Sequence, residues 1–154
     1  MPNKRSEIRA AVRTALIAND DSVPVDMNRV TPVMTHELPR IVIRTPKETS
    51  RVFAESPRIL MRHLTVVVEV LAEAEKLDGI LDGIGQKIEE ALNGAPMLGG
   101  IARDQYLIES ETDFDASGER PVGSLRLKYE VQYLTDETPP GQSSDLRGIN
   151  VHYL

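Results

Sequence analysis

The stretch from Leu60 to Ala72, LMRHLTVVVEVLA, alternates between two kinds of position. Leu60, Leu64, Val66, Val68, Val70 and Ala72 fall on one side, and Met61, His63, Thr65, Val67, Glu69 and Leu71 on the other. Successive side chains of a strand point to opposite faces, so the pattern predicts a long strand with one strongly apolar face. The period then changes. Leu77, Ile80, Leu81, Ile84, Ile88, Ala91 and Leu92 recur at helical spacing and predict an amphipathic helix. A strand feeding a helix is therefore the spine of the fold.

Weaker patterns flank it. Ser6 is placed to cap a first helix over about 7–18, with Ile8, Val12, Ala15 and Leu16 as its apolar stripe. Asn19-Asp20-Asp21-Ser22 and Pro24 end it. Residues 22–39 read as a long loop with an extended piece at Val30–Met34. Arg40–Thr45 reads as a short strand stopped by Pro46, and the polar run 46–58 as a loop. Gly94 stands where a left-handed helix end would want it. Residues 104–114 form a further strand and Val122–Thr135 a strong one, with Leu125, Leu127, Tyr129, Val131 and Tyr133 on its apolar side. Ser117-Gly118 lies between them, as a hairpin requires.

The predicted order is α-β-β-α-β-β. It is an α+β domain whose four-stranded, largely antiparallel or mixed sheet carries two helices on one face. Thr138-Pro139-Pro140-Gly141 breaks the pattern, giving one domain over 1–138 and an extended tail over 139–154. Leu64, Val66, Val68, Leu127, Tyr129, Val131, Ile84 and Ile88 are the expected core. Part of the loop 46–58, the hairpin tip 113–121 and the tail 139–154 are expected to be mobile in the free subunit and to order on assembly. Gly79, Gly83 and Gly85 lie inside the second helix at a cost of about 1 kcal/mol each. They mark either a close backbone approach or a frayed first turn. Gly83-Ile84-Gly85-Gln86-Lys87 lacks the glycine spacing and hydroxyl of a phosphate loop.

Composition narrows the chemistry. The chain has 40% apolar and 27% charged residues, which suits a folded domain. It has no Cys, which excludes disulfides and thiolate metal sites and fits a reducing cytoplasm. The N-terminal cations are not followed by a long apolar run, so neither a signal peptide nor a membrane span is expected. A net charge of −6 with no Trp speaks against a nucleic-acid binder. The charge is uneven. Residues 1–62 hold 11 cations against 7 anions, a net +4, and residues 63–154 hold 7 against 17, a net −10. Such a split supplies complementary surfaces between copies, or simply two solvated regions.

No catalytic constellation stands out. Asp113-Phe114-Asp115-Ala116-Ser117-Gly118 opens like a calcium loop, but Ser124 occupies the place of the closing Glu, and Asp, Ser and Gly suit a hairpin tip. His36, His63 and His152 are far apart and share no metal-ligand spacing. Glu73, Glu75, Asp78, Asp82, Glu89 and Glu90 crowd around the second helix, and a solvated acidic face is the simpler account of them. There is no nucleophile elbow. No catalytic, cofactor-binding or metal residue is assigned.

Taken together, RSEIRAAVRTAL, a proline-rich loop, LPRIVIRTP, RHLTVVVEVLAE, LDGILDGIGQKIEEAL and IESETDFDASGERPVGSLRLKYEVQYLTDE resemble the tail terminator proteins of long-tailed bacteriophages. This is the minor tail protein U-like family of phages and prophages. The resemblance covers about residues 4–138, and the tail PPGQSSDLRGINVHYL departs from it. It implies a non-enzymatic virion protein assembled in the host bacterial cytoplasm. A hexameric ring would cap the tail tube, stop its growth and present a surface to the head connector. DNA would pass through without specific binding, and no cofactor or membrane would be involved. The candidate subunit or tube interface is Arg44, Arg51, Phe53, Arg62, Arg126 and Lys128. The alternatives are another head–tail joining or tail-completion protein, or an unrelated small bacterial enzyme or ligand-binding domain.

Overall fold

The computed structural model describes residues 3–73, 77–115 and 122–137. The chain opens with α1 (Lys4–Asn19) and the short strand β1 (Val25–Met27). Two long strands follow, β2 (Arg40–Glu55) and β3 (Arg58–Glu73). Then come α2 (Leu77–Asn93), β4 (Asp104–Asp115) and β5 (Val122–Asp136). The five strands form one sheet in the order β1-β2-β3-β5-β4, antiparallel except for the parallel pair β1–β2. The α+β class is as the pattern predicts.

The core is built by the expected alternation. Leu64, Val66, Val68, Val70 and Ala72 of β3 are buried beside Leu125, Leu127, Tyr129, Val131 and Tyr133 of β5. Ile8, Val12 and Leu16 of α1 and Leu81, Ile88, Ala91 and Leu92 of α2 close over that face. Of the expected core, only Ile84 is partly exposed, and it packs against the cluster. Burying a Val or Leu side chain is worth about 1.5–3 kcal/mol, so this face dominates the stability of the sheet.

The departures from expectation have local causes. There are five strands, not four, because Val25–Met27 pairs with Ile41–Ile43. Three residues beside Pro24 carry no readable period. Val30–Met34 is not a strand, and the turn that follows it is a 3-10 turn at Thr35–Glu37. The helix cap is Asn3, whose side chain accepts from the Ser6 amide at 2.8 Å. Gly94 is not left-handed; the positive φ values after α2 belong to Leu98, Gly99 and Gly100. Instead, the Gly94 amide bonds the Glu90 carbonyl, and the Gln105 side chain donates to the carbonyls of Leu92 and Ala95.

The largest difference concerns 46–58, which is not a loop. β2 continues through it and turns at Ser56-Pro57 directly into β3. Pro46 falls where the β2–β3 register shifts, between Arg44 and Lys47. A bulge residue needs no ladder donor, so proline is tolerated there. Among the described residues, none from 44 to 55 is buried, so both faces of this stretch tolerate polar side chains and the strand period disappears. The 116–121 part of the hairpin tip and the 139–154 tail lie outside the described residues. So do the side chain of Asp115, which the calcium-like motif requires, and His152.

Gly85 resolves one of the two readings of the helix glycines. A Cβ added there would meet Leu125 Cδ2 at 2.6 Å, so the missing side chain lets α2 close on β5. Gly79 and Gly83 face open space.

Candidate assembly interface

α1 and α2 pack on one face of the sheet; among the described residues the second face is open except around Val42 and Met61, which are buried on it. Register places Glu69 opposite Arg126, Val67 opposite Lys128 and Thr65 opposite Glu130. Glu111 stands opposite Arg126 on the other side, and Glu109 opposite Lys128. These pairs make a ladder of charge across β2, β3, β5 and β4. Glu69 accepts from Arg44 at 2.8 Å and from Arg126 at 3.1 Å. Arg126 also approaches Glu111 and Asp113, both at 3.6 Å, and Lys128 meets Glu109 at 3.1 Å.

Beside the ladder, Glu130 accepts from the Tyr106 hydroxyl and from Gln132 at 2.9 Å, with His63 Nδ1 at 3.3 Å. The Tyr106 bond is the largest of the effects that hold the Glu130 carboxyl below its ordinary pKa, and it raises the Tyr106 hydroxyl in turn. Exposed pairs of this kind contribute at most about 1 kcal/mol each. The ladder therefore matters less for stability than for the surface it presents.

The structure distributes the six candidate interface residues over both faces. Arg44, Arg126 and Lys128 share the uncovered face, and all three are paired within the subunit. Arg51 stands opposite Met61, on that same face, with no hydrogen bond or ion pair among the described residues. Arg62 lies on the helix-bearing side, donating to Thr135 at 2.8 Å and reaching Glu48 and Glu137 at 3.4 and 3.3 Å. There Glu48 also accepts from the Tyr133 hydroxyl. Phe53 is near the hairpin turn, 46% exposed, with the Arg103 guanidinium 5.1 Å from its ring centre. That geometry is a cation–π contact.

Two further features escaped the sequence pattern. Arg29 braces the loop after β1. It bonds Asp26 at 2.8 Å, both oxygens of Glu37 at 2.9 and 2.7 Å, and the carbonyls of Thr31 and Pro32. Glu37 also accepts from the Met34 amide, and that bond leads the Arg29 pair in lowering its carboxyl. Burial would raise Asp26, but bonds from Arg29 and Arg40 more than offset it. The brace holds an apolar tip outward, with Val30 97% and Met34 56% exposed. The only signal in the sequence was polar residues in a loop, which ordinarily read as solvated.

The second feature joins the helices. Asp20 and Lys87 pair at 2.7 Å beside a water-sized opening lined by Leu16, Val23, Ile84 and Ile88. The Lys87 bond pulls the Asp20 carboxyl down to about 2. Among the described residues, no three His, Asp or Glu side chains converge as a metal site needs.

No family model matches the sequence, and no curated protein matches it. Among solved structures the chain is similar to a component of a structure described as "Virion of native gene transfer agent (GTA) particle". That match covers 80% of this chain and 93% of the other at 11% identity, with a TM-score of 0.42, a likeness too distant to carry an argument about function.

Proposed function

We propose that this chain is a virion assembly protein, a tail terminator whose ring caps the tail tube, stops its growth and offers a surface for head attachment. The supporting observation is the surface left over after the core is made. One face of the sheet is closed by helices, and the other carries a charge ladder. Tyr106, Ile108 and Phe114 lie exposed along β4, and Val52 and Phe53 near the hairpin turn. Exposed apolar side chains beside organised charge are what a partner-binding surface requires. The resemblance in element order and wording points the same way, and the split of charge suits contacts between unlike patches around a closed ring.

The test is a mixture of the purified protein with purified tail tubes of its own virion, examined by negative-stain electron microscopy. Rings at one end of each tube, and tubes that no longer elongate when fresh tube protein is added, are expected. Tubes that elongate unchanged, with bare ends, would remove the terminator reading. Rings that bind isolated heads but never tubes would move the assignment to a head-side joining protein.

A further inference from the structure

We infer that the joint between copies is a β-ladder in which the β4 edge of one subunit pairs with the β2 edge of the next. This rests on the ring proposed above and specifies how it closes. Both edges are open among the described residues. β1 covers β2 only at Ile41–Ile43, leaving 44–55, and β4 ends the sheet over 104–115. The two open stretches are of equal length. An open edge presents a row of unpaired N–H and C=O groups ready for another strand.

The side chains select which edges meet. On the uncovered face the β2 edge carries Lys47 and Arg51, neither with an ion pair among the described residues. On the same face the β4 edge carries Glu109, Glu111 and Asp113. Continuing the sheet from β4 into the next copy's β2 brings cations to carboxylates on that face: an antiparallel register that sets Lys47 opposite Asp113 sets Arg51 opposite Glu109. Joining β2 to β2, or β4 to β4, would oppose like charges. The joint is therefore between unlike edges, as a closed ring requires.

Strand direction agrees. β3 runs against β2, β5 against β3 and β4 against β5, so β4 runs against β2. Rotation about an axis along the strands preserves direction, so β4 meets the neighbouring β2 antiparallel. The ladder that results has the same sense as the rest of the sheet.

The test is a charge exchange between the edges in the full chain, read by sedimentation velocity. Lys47→Glu with Arg51→Glu should weaken association about tenfold or more, and Glu109→Lys with Glu111→Lys should do the same. The chain carrying all four changes should regain most of the wild-type association. Thermal melts close to wild type confirm that each variant is folded. In the wild type, the backbone amides of 44–55 and 104–115 should slow in hydrogen exchange as rings form. If wild-type rings form but neither edge variant weakens them, or the fourfold variant is weaker than both, the edge joint is wrong and the ring stands. Protection confined to the helices would also overturn the joint. If the wild type never associates, ring and joint fall together.

Discussion

At the scale of single residues the sheet core and the loop brace do different work. Val68 is fully buried at the centre of the core, where a carboxylate would find no partner. Val68→Asp should cost more than about 4 kcal/mol and leave the chain unfolded by circular dichroism at room temperature. Wild-type melting would mean that the face of β3 is misassigned. The brace is electrostatic and so depends on pH. Asp26 and Glu37 have carboxyl pKa values below their ordinary 3.8 and 4.5. Folding therefore releases protons, and the stabilisation is complete above those ordinary values and lost as pH falls through the lowered ones. Arg29→Met should melt earlier at neutral pH, with the gap from wild type narrowing below about pH 4. Lysine at this position would not substitute, because it lacks the planar fork that bonds two carboxylates and two carbonyls together. A gap that stays constant down to acid would show that the brace acts through packing alone.

At the scale of elements, the glycines of α2 separate propensity from packing. Gly79→Ala and Gly83→Ala should each stabilise by about 0.5–1 kcal/mol, since a Cβ there meets nothing. Gly85→Ala should gain nothing or lose stability, because overpacking against Leu125 costs about 1–3 kcal/mol. Urea titrations of the three variants would decide it, and equal stabilisation by all three would contradict the close helix–strand contact. The elements also show what the sequence could reveal. β3, β5 and α2 were legible because each has one buried face that imposes a period. β1 was not, because three residues form a strand only through their partner. The far half of β2 was hidden because no side chain there is buried and because Pro46, ordinarily a strand breaker, occupies a bulge. Asn3 and Ser6 are equally good capping types, and only the geometry chooses between them.

At the scale of the whole molecule, part of the proposed interface was visible in advance. Strand alternation put Thr65, Val67 and Glu69 of β3 and Arg126, Lys128 and Glu130 of β5 on the side away from the apolar face, and they share that side in the structure. Which cations remain free for a neighbour did not follow, because pairing depends on cross-strand register that one sequence does not display. Arg44, Arg126 and Lys128 are held by their own subunit, whereas Arg51 and Lys47 have no ion pair among the described residues. Assembly must also overcome repulsion, since six copies at −6 each carry −36. That repulsion is screened over about 10 Å at 0.1 M salt. Association should therefore strengthen with ionic strength or magnesium until screening begins to weaken the attraction between unlike edges. The most direct test of the ring is sedimentation velocity of the wild-type protein across a concentration, salt and magnesium series, with and without tail tubes. A monomer at low salt and low concentration that shifts to one closed species of about six copies, or is captured on tube ends, is the predicted result. A chain that stays monomeric throughout and leaves tubes unbound would contradict the account.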